Sequence, residues 1–118
     1  MAKVKYVMLL PLTYNDKSKV PKDVRSRIFD DLFRLGGGHH VAGVGKGAYR
    51  MKSGQKKVDR SLEVWVAVEE EDEAALKDMV AGFAALLGQE SIYLERVNST
   101  VELIPPKAEF VPPKAVGG

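Results

Sequence analysis

Leu62-Glu63-Val64-Trp65-Val66-Ala67-Val68 alternates without a break. Leu62, Val64, Val66 and Val68 fall on one face, and Glu63, Trp65 and Ala67 on the other. A period of two with one apolar face marks a β-strand lying against a core. Upstream, His40 to Met51 reads as a second strand, so that Val41 to Val68 forms one long hairpin. That second strand alternates poorly and carries Gly43, Gly45 and Gly47. Glycine at every second position leaves one strand face bare, which suits a bulged or edge strand, or a surface that a ligand or another backbone approaches closely. Between the strands lies a basic hairpin loop, Lys46 to Arg60, with Lys46, Arg50, Lys52, Lys56, Lys57 and Arg60 set against Asp59 alone. A loop of this kind is expected to be solvated and mobile.

Working outward, Val4 to Leu10 is a strand closed by Pro11. Val4, Tyr6, Met8 and Leu10 share one face and Val7 and Leu9 the other, and apolar residues on both faces suit a central position. After a polar connection with Asn15-Asp16 as its turn, Pro21 can open a helix without losing a hydrogen bond. Asp23 in the first turn complements the helix dipole. Val24, Ile28, Leu32 and Leu35 make the buried stripe, widened by Phe29 and Phe33, and Gly36-Gly37-Gly38 ends it. Beyond the Trp65 strand, the acidic run Glu69 to Glu73 reads as the start of a second helix rather than a metal site. Leu76, Met79, Val80, Phe83, Leu86 and Leu87 recur there at helical spacing, and Gly88 stops the run. Ser91 to Val97 is the last strand, Asn98-Ser99 a bend, and Val101 to Ile104 an extension. From Pro105 the composition shifts: Pro-Pro-Lys-Ala occurs at Pro105–Ala108 and again at Pro112–Ala115. Residues 105–118 are therefore expected to be a Pro-rich tail, or an arm packing Phe110 and Val111 on a neighbour.

At 118 residues the chain has room for one domain with a substantial core. A hydrophobic share of 45% and a charged share of 29% exclude global disorder. The net charge of +2 makes no general case for nucleic acid, so any electrostatic argument rests on the local cluster. The absence of cysteine excludes disulfides, thiolate metal ligands and thiol catalysis. The first apolar run is too short to span a membrane and is followed by no small-residue cleavage pattern, so a cytoplasmic protein is expected.

The order strand, helix, strand, strand, helix, strand is the split βαβ, or ferredoxin-like, arrangement of the α+β class. It predicts a four-stranded antiparallel sheet over residues 1–104, with both helices on one face. The other face would carry Val7, Leu9, Trp65, Tyr93 and Tyr49. A patch of that kind is rarely left bare on a monomer, so association into a dimer or trimer through the open sheet face is expected.

This arrangement resembles the superfamily that contains the PII signalling proteins and the CutA proteins. The residues that carry the likeness are the glycine-bearing second strand, the polar hairpin loop Tyr49 to Arg60 and the Leu62–Val68 strand, within a resemblance covering residues 4–104. It implies trimers that engage small ligands or partner proteins through clefts and the hairpin loop. The loop is shorter than a PII signalling loop and the metal-ligand pattern of CutA is missing, so no residue role carries over.

The candidate chemistry is sparse. His39 and His40 are adjacent and so point to opposite strand faces, which disfavours a shared metal ion; no metal and no cofactor are expected. Gly43-Val44-Gly45-Lys46-Gly47 lacks the spacing of a Walker loop, but its backbone amides could meet an anionic ligand beside Lys46. The reading is an oligomeric small-ligand- or partner-binding module, more binding protein than enzyme. Gly45, Lys46, Tyr49 and Trp65 are its ligand-binding candidates. Arg50, Lys52, Lys56, Lys57 and Arg60 are contacts for an anion or an acidic protein partner. One alternative is a small enzyme of the dimeric α+β barrel type, using a cleft near His40, Glu63 and Trp65. Another is an RNA-binding module stacking bases on Tyr49 and Trp65, disfavoured because the ribonucleoprotein signature is absent.

Overall fold

Val64, Val66 and Val68 are buried to within 1% of full burial, beside Val4, Tyr6, Met8 and Leu10 of the first strand. In the computed structural model, which describes residues 2–107, the strands are β1 (Ala2–Pro11), β2 (His40–Arg50), β3 (Lys56–Val68) and β4 (Leu94–Glu102). They form one four-stranded sheet in the order β2-β3-β1-β4, and each neighbouring pair is antiparallel. The α+β class read from the sequence is the one the chain adopts. β1 is central, as its two apolar faces require.

Helix α1 (Lys22–Gly36) follows Pro21, and Ile28 and Leu32 are its buried residues, with Val24, Phe29 and Leu35 packed alongside. Gly37 ends it at φ 79°, the left-handed conformation that glycine adopts without a Cβ penalty, and its N–H is donated to the Phe33 carbonyl. Helix α2 (Glu73–Leu86) follows a single 3-10 turn at Glu70–Asp72, so the acidic run does sit at a helix start. Leu76, Val80, Phe83 and Leu87 join Ile28, Leu32, residues Val4, Tyr6, Met8 and Leu10 of β1, and Val64, Val66 and Val68 of β3 in one apolar cluster. Both helices therefore cover the same sheet face.

Several expectations are corrected. The basic segment is mostly paired strand rather than loop: β2 and β3 stay paired out to Arg50 opposite Lys56, leaving only Met51–Gln55 as the turn. Period-two reading missed this because the cations occupy both faces of a ribbon that projects past the core, where no apolar alternation is required. β4 starts later than predicted and runs through Asn98 and Ser99, absorbing the expected bend as an irregularity opposite the Val4–Tyr6 segment of β1. Phe33 is 60% exposed, because α1 turns that position outside the stripe. The expected packing of Phe110 and Val111, and the second Pro-Pro-Lys-Ala, lie outside the described residues.

Candidate functional site

Antiparallel partners share a sheet face, so the register sorts the predicted residues. His40 lies opposite Trp65, Gly43 opposite Glu63, Gly45 opposite Ser61, Gly47 opposite Asp59 and Tyr49 opposite Lys57. All belong to the face away from the helices. Lys46 opposite Arg60, and Arg50 opposite Lys56, belong to the other face. The ligand candidates Gly45, Tyr49 and Trp65 are thus brought to one surface, and Lys46 is separated from them by the thickness of the ribbon. Lys52 sits in the turn, its backbone N–H donated to Glu90 Oε2 at 3.1 Å.

The open face begins with an aromatic station. The His40 ring stacks on Trp65 with centroids 4.9 Å apart, and Lys5 Nζ lies 4.8 Å from the centre of the Trp65 ring. Val7, Leu9 and Ala67 surround it half-buried, and Tyr93 at the β4 side is exposed. The neighbouring His39 goes to the opposite side, where it stacks on Phe29 at 4.6 Å. The two imidazoles therefore straddle the strand as adjacent residues must, and no metal-ligand cluster occurs among the described residues.

Along the same surface, Gly43 and Gly45 leave the β2 backbone bare: a Cβ built at either would meet nothing within 4 Å. Gly47 differs. A Cβ there would lie 2.5 Å from the Tyr49 hydroxyl, so the absent side chain is what lets the Tyr49 ring lie back across the strand.

Beyond Gly47 the ribbon turns this face over the end of the sheet. There Lys57 donates to Gln89 Oε1 at 2.5 Å and lies 3.6 Å from Asp59 Oδ2. Gln89 Nε2 reaches Asn15 Oδ1 at 3.4 Å, and Asn15 donates to the Gly88 carbonyl at 2.9 Å. The ribbon, the β1–α1 connection and the α2–β4 connection so line a cleft of about 100 Å³, to which the ribbon contributes Tyr49, Arg50 and Met51 and the α2–β4 connection Gln89, Glu90 and Ser91. Its polar groups can hold a small polar molecule, and the Tyr49 ring offers a flat apolar wall. Asn15, Asp59, Gln89 and Glu90 were not among the sequence candidates. Asn15 read only as a turn residue, and Gln89-Glu90 only as the stretch after a helix stop. A second, larger and more open groove of about 510 Å³ runs between α2 and the start of β4, past Ala81, Ala84, Ile92 and Leu94.

On the helix side, the Tyr6 hydroxyl and Arg96 Nε both donate to Glu73 Oε1, each at 2.7 Å. The Glu73 carboxyl is held below the ordinary carboxylate range, first by the Tyr6 hydrogen bond and then by Arg96. Burial, followed by the bond to Glu73, pushes the Tyr6 hydroxyl up.

No protein-family model matches the chain, and no curated protein matches its sequence. Solved structures do match its fold. A phage SAM lyase in complex with S-methyl-5'-thioadenosine aligns over 87% of this chain and 90% of that one, with a TM-score of 0.66 and 13% identity. The divalent cation tolerance protein Cut A1 from Thermus thermophilus aligns over 92% of this chain and 86% of that one, with a TM-score of 0.54 and 18% identity. At these identities the likeness is one of fold, and it is the CutA-like resemblance expected from the order of elements. No described helix is long and apolar enough to cross a membrane.

Proposed function

We propose that the chain is an oligomeric small-ligand-binding module of ferredoxin-like architecture, with its domain over residues 1–104 and a Pro-rich arm from 105 to 118. The observation that carries the ligand reading is the cleft between the ribbon and the end of the sheet, where three separate chain segments bring Tyr49, Lys57, Asp59, Asn15 and Gln89 around one space. Such convergence of a few polar groups beside an aromatic wall is the usual form of a small-molecule site. One structural neighbour holds a nucleoside thioether, which makes S-methyl-5'-thioadenosine a rational first probe. Oligomerisation rests on the half-buried Val7, Leu9, Trp65 and Ala67 of the open face, an apolar strip with no covering element among the described residues.

The test is calorimetric titration of S-methyl-5'-thioadenosine into the full chain and into Tyr49→Ala and Lys57→Ala. Binding that both substitutions weaken at least tenfold supports the cleft. Binding indifferent to both moves the ligand elsewhere, and no heat with this probe or with related nucleosides removes the nucleoside reading.

The enzyme alternative has one observation in its favour: His40, Glu63 and Trp65 share the open face. None of the three lines the cleft or the groove, and His40 is exposed. A catalytic role for them needs the cover that a second copy would supply, and activity in a dilute monomer would count against that role.

A further inference from the structure

The helix-side face of the ribbon carries an arrangement that the fold alone does not explain. Its rungs, read toward the turn, are Val44 with Leu62, Lys46 with Arg60, Ala48 with Val58, and Arg50 with Lys56. Apolar and cationic rungs alternate. In each cationic rung two like charges stand directly opposite, which destabilises an antiparallel pair. Neither rung has a carboxylate to relieve it: among the described residues the ion pairs are Arg34–Asp31, Lys57–Asp59 and Arg96–Glu73, and none involves these four cations. Val44 and Val58 are 56% and 50% exposed, so the apolar rungs are open to solvent as well.

From this ladder we infer that the helix-side face of the β2–β3 ribbon is a docking surface for an acidic, amphipathic segment of a partner protein. Successive rungs on one strand face are about 7 Å apart, so the cationic rungs are separated by about 14 Å with an apolar rung between them. A partner in extended conformation whose facing residues alternate apolar and acidic matches this spacing. Its carboxylates would relieve both like-charge rungs, and its apolar groups would cover the exposed Val44 and Val58. A nucleic-acid backbone fits less well: phosphates would face the valines at every second step, and the aromatic residues a base would stack on, Tyr49 and Trp65, are on the other face. Arg50 also lines the ligand cleft, but Lys46, Arg60, Val58 and Lys56 do not, so this inference stands whether or not the cleft binds a nucleoside.

The test uses a fluorescein-labelled, end-capped peptide of alternating Leu-Ser-Glu-Ser units, with an all-Ser-Glu peptide and a twelve-residue oligothymidylate as comparisons. Polarisation at low salt should show the amphipathic peptide binding at least tenfold more tightly than either comparison. Lys46→Glu is the informative variant, since it turns a like-charge rung into an opposite-charge one. It should raise Tm by about 2 °C while weakening the peptide at least tenfold. Val58→Ser should also weaken it, and Lys52→Ala, in the turn, should leave it unchanged. The inference is overturned if the amphipathic peptide does not bind, if the oligothymidylate or the Ser-Glu peptide binds equally well, or if Lys46→Glu keeps full affinity.

Discussion

The Tyr6 hydroxyl, on the central strand, donates to Glu73 Oε1 at the first residue of α2, 67 positions away in sequence. The same oxygen accepts from Arg96 of edge strand β4. One carboxylate atom thus ties the start of a helix to two strands of the sheet beneath it.

This junction predicts an acid-sensitive fold. The Glu73 carboxyl is depressed in the folded state, so its contribution is complete above the ordinary carboxylate range and is lost as pH falls through that range toward the folded value. Thermal melts of the parent and Glu73→Gln should differ most near neutrality and converge in acid. A gap between the two proteins that stays constant down to about pH 2 would separate Glu73 from the acid response. Tyr6→Phe should cost about 1 kcal/mol at neutral pH, the ordinary loss for one hydrogen bond.

Burial sets a second contrast. Met8 is fully buried, whereas Val44 is more than half exposed. Met8→Ala should destabilise by about 2–5 kcal/mol in chemical denaturation, and Val44→Ala by no more than about 0.5 kcal/mol. Equal effects would mean that the apolar cluster is not where the folding energy resides.

Association through the open face is directly measurable. Light scattering at micromolar concentration should give the mass of a dimer or trimer, and Trp65→Glu should reduce it to that of one chain with helical circular dichroism unchanged. A parent protein that runs as a clean monomer would remove this face from consideration.

Gly47 offers a local test of the cleft wall. Gly47→Ala puts a Cβ where the Tyr49 ring now lies, and the obstacle is the end of an exposed side chain, so Tm should change by less than about 2 °C. The Tyr49 aromatic resonances should shift, and affinity for a ligand held against that ring should fall. Unmoved resonances would show that Tyr49 does not rest on Gly47.

How much of this was legible in the sequence follows from where burial supplies a pattern. Val4 to Leu10 and Leu62 to Val68 alternate because one face of each meets the helices, and the stripes Ile28–Leu32 and Leu76–Val80–Phe83 repeat because one side of each helix meets the sheet. The ribbon from Gly45 to Arg60 lacks any such constraint. Its strands are held by backbone pairing, so its cations looked like a loop. The cleft was illegible for a different reason: Asn15, Lys57 and Gln89 are distant in sequence and converge only when the ribbon folds back over the sheet end. Tyr49 could be picked out because an aromatic beside a row of glycines is conspicuous, but the lateness of Gln89 and the isolation of Asn15 gave no sign of a shared space.

The sheet order also predicts an assembly history. Val4 of the central strand finds its partners at Val68 on one side and Thr100 on the other, whereas β2 and β3 are joined by a turn of a few residues. Closing a short hairpin takes microseconds, while distant pairings must first overcome the entropy of long loops. During synthesis, therefore, β1 leaves the ribosome long before either neighbour exists, with apolar residues on both sides and both hydrogen-bonding edges free. The hairpin is the first part of the sheet able to form, and β1 docks against it once β3 has emerged. The other edge of β1 waits for β4, so the nascent chain passes through a stage in which its most buried strand is its most adhesive one.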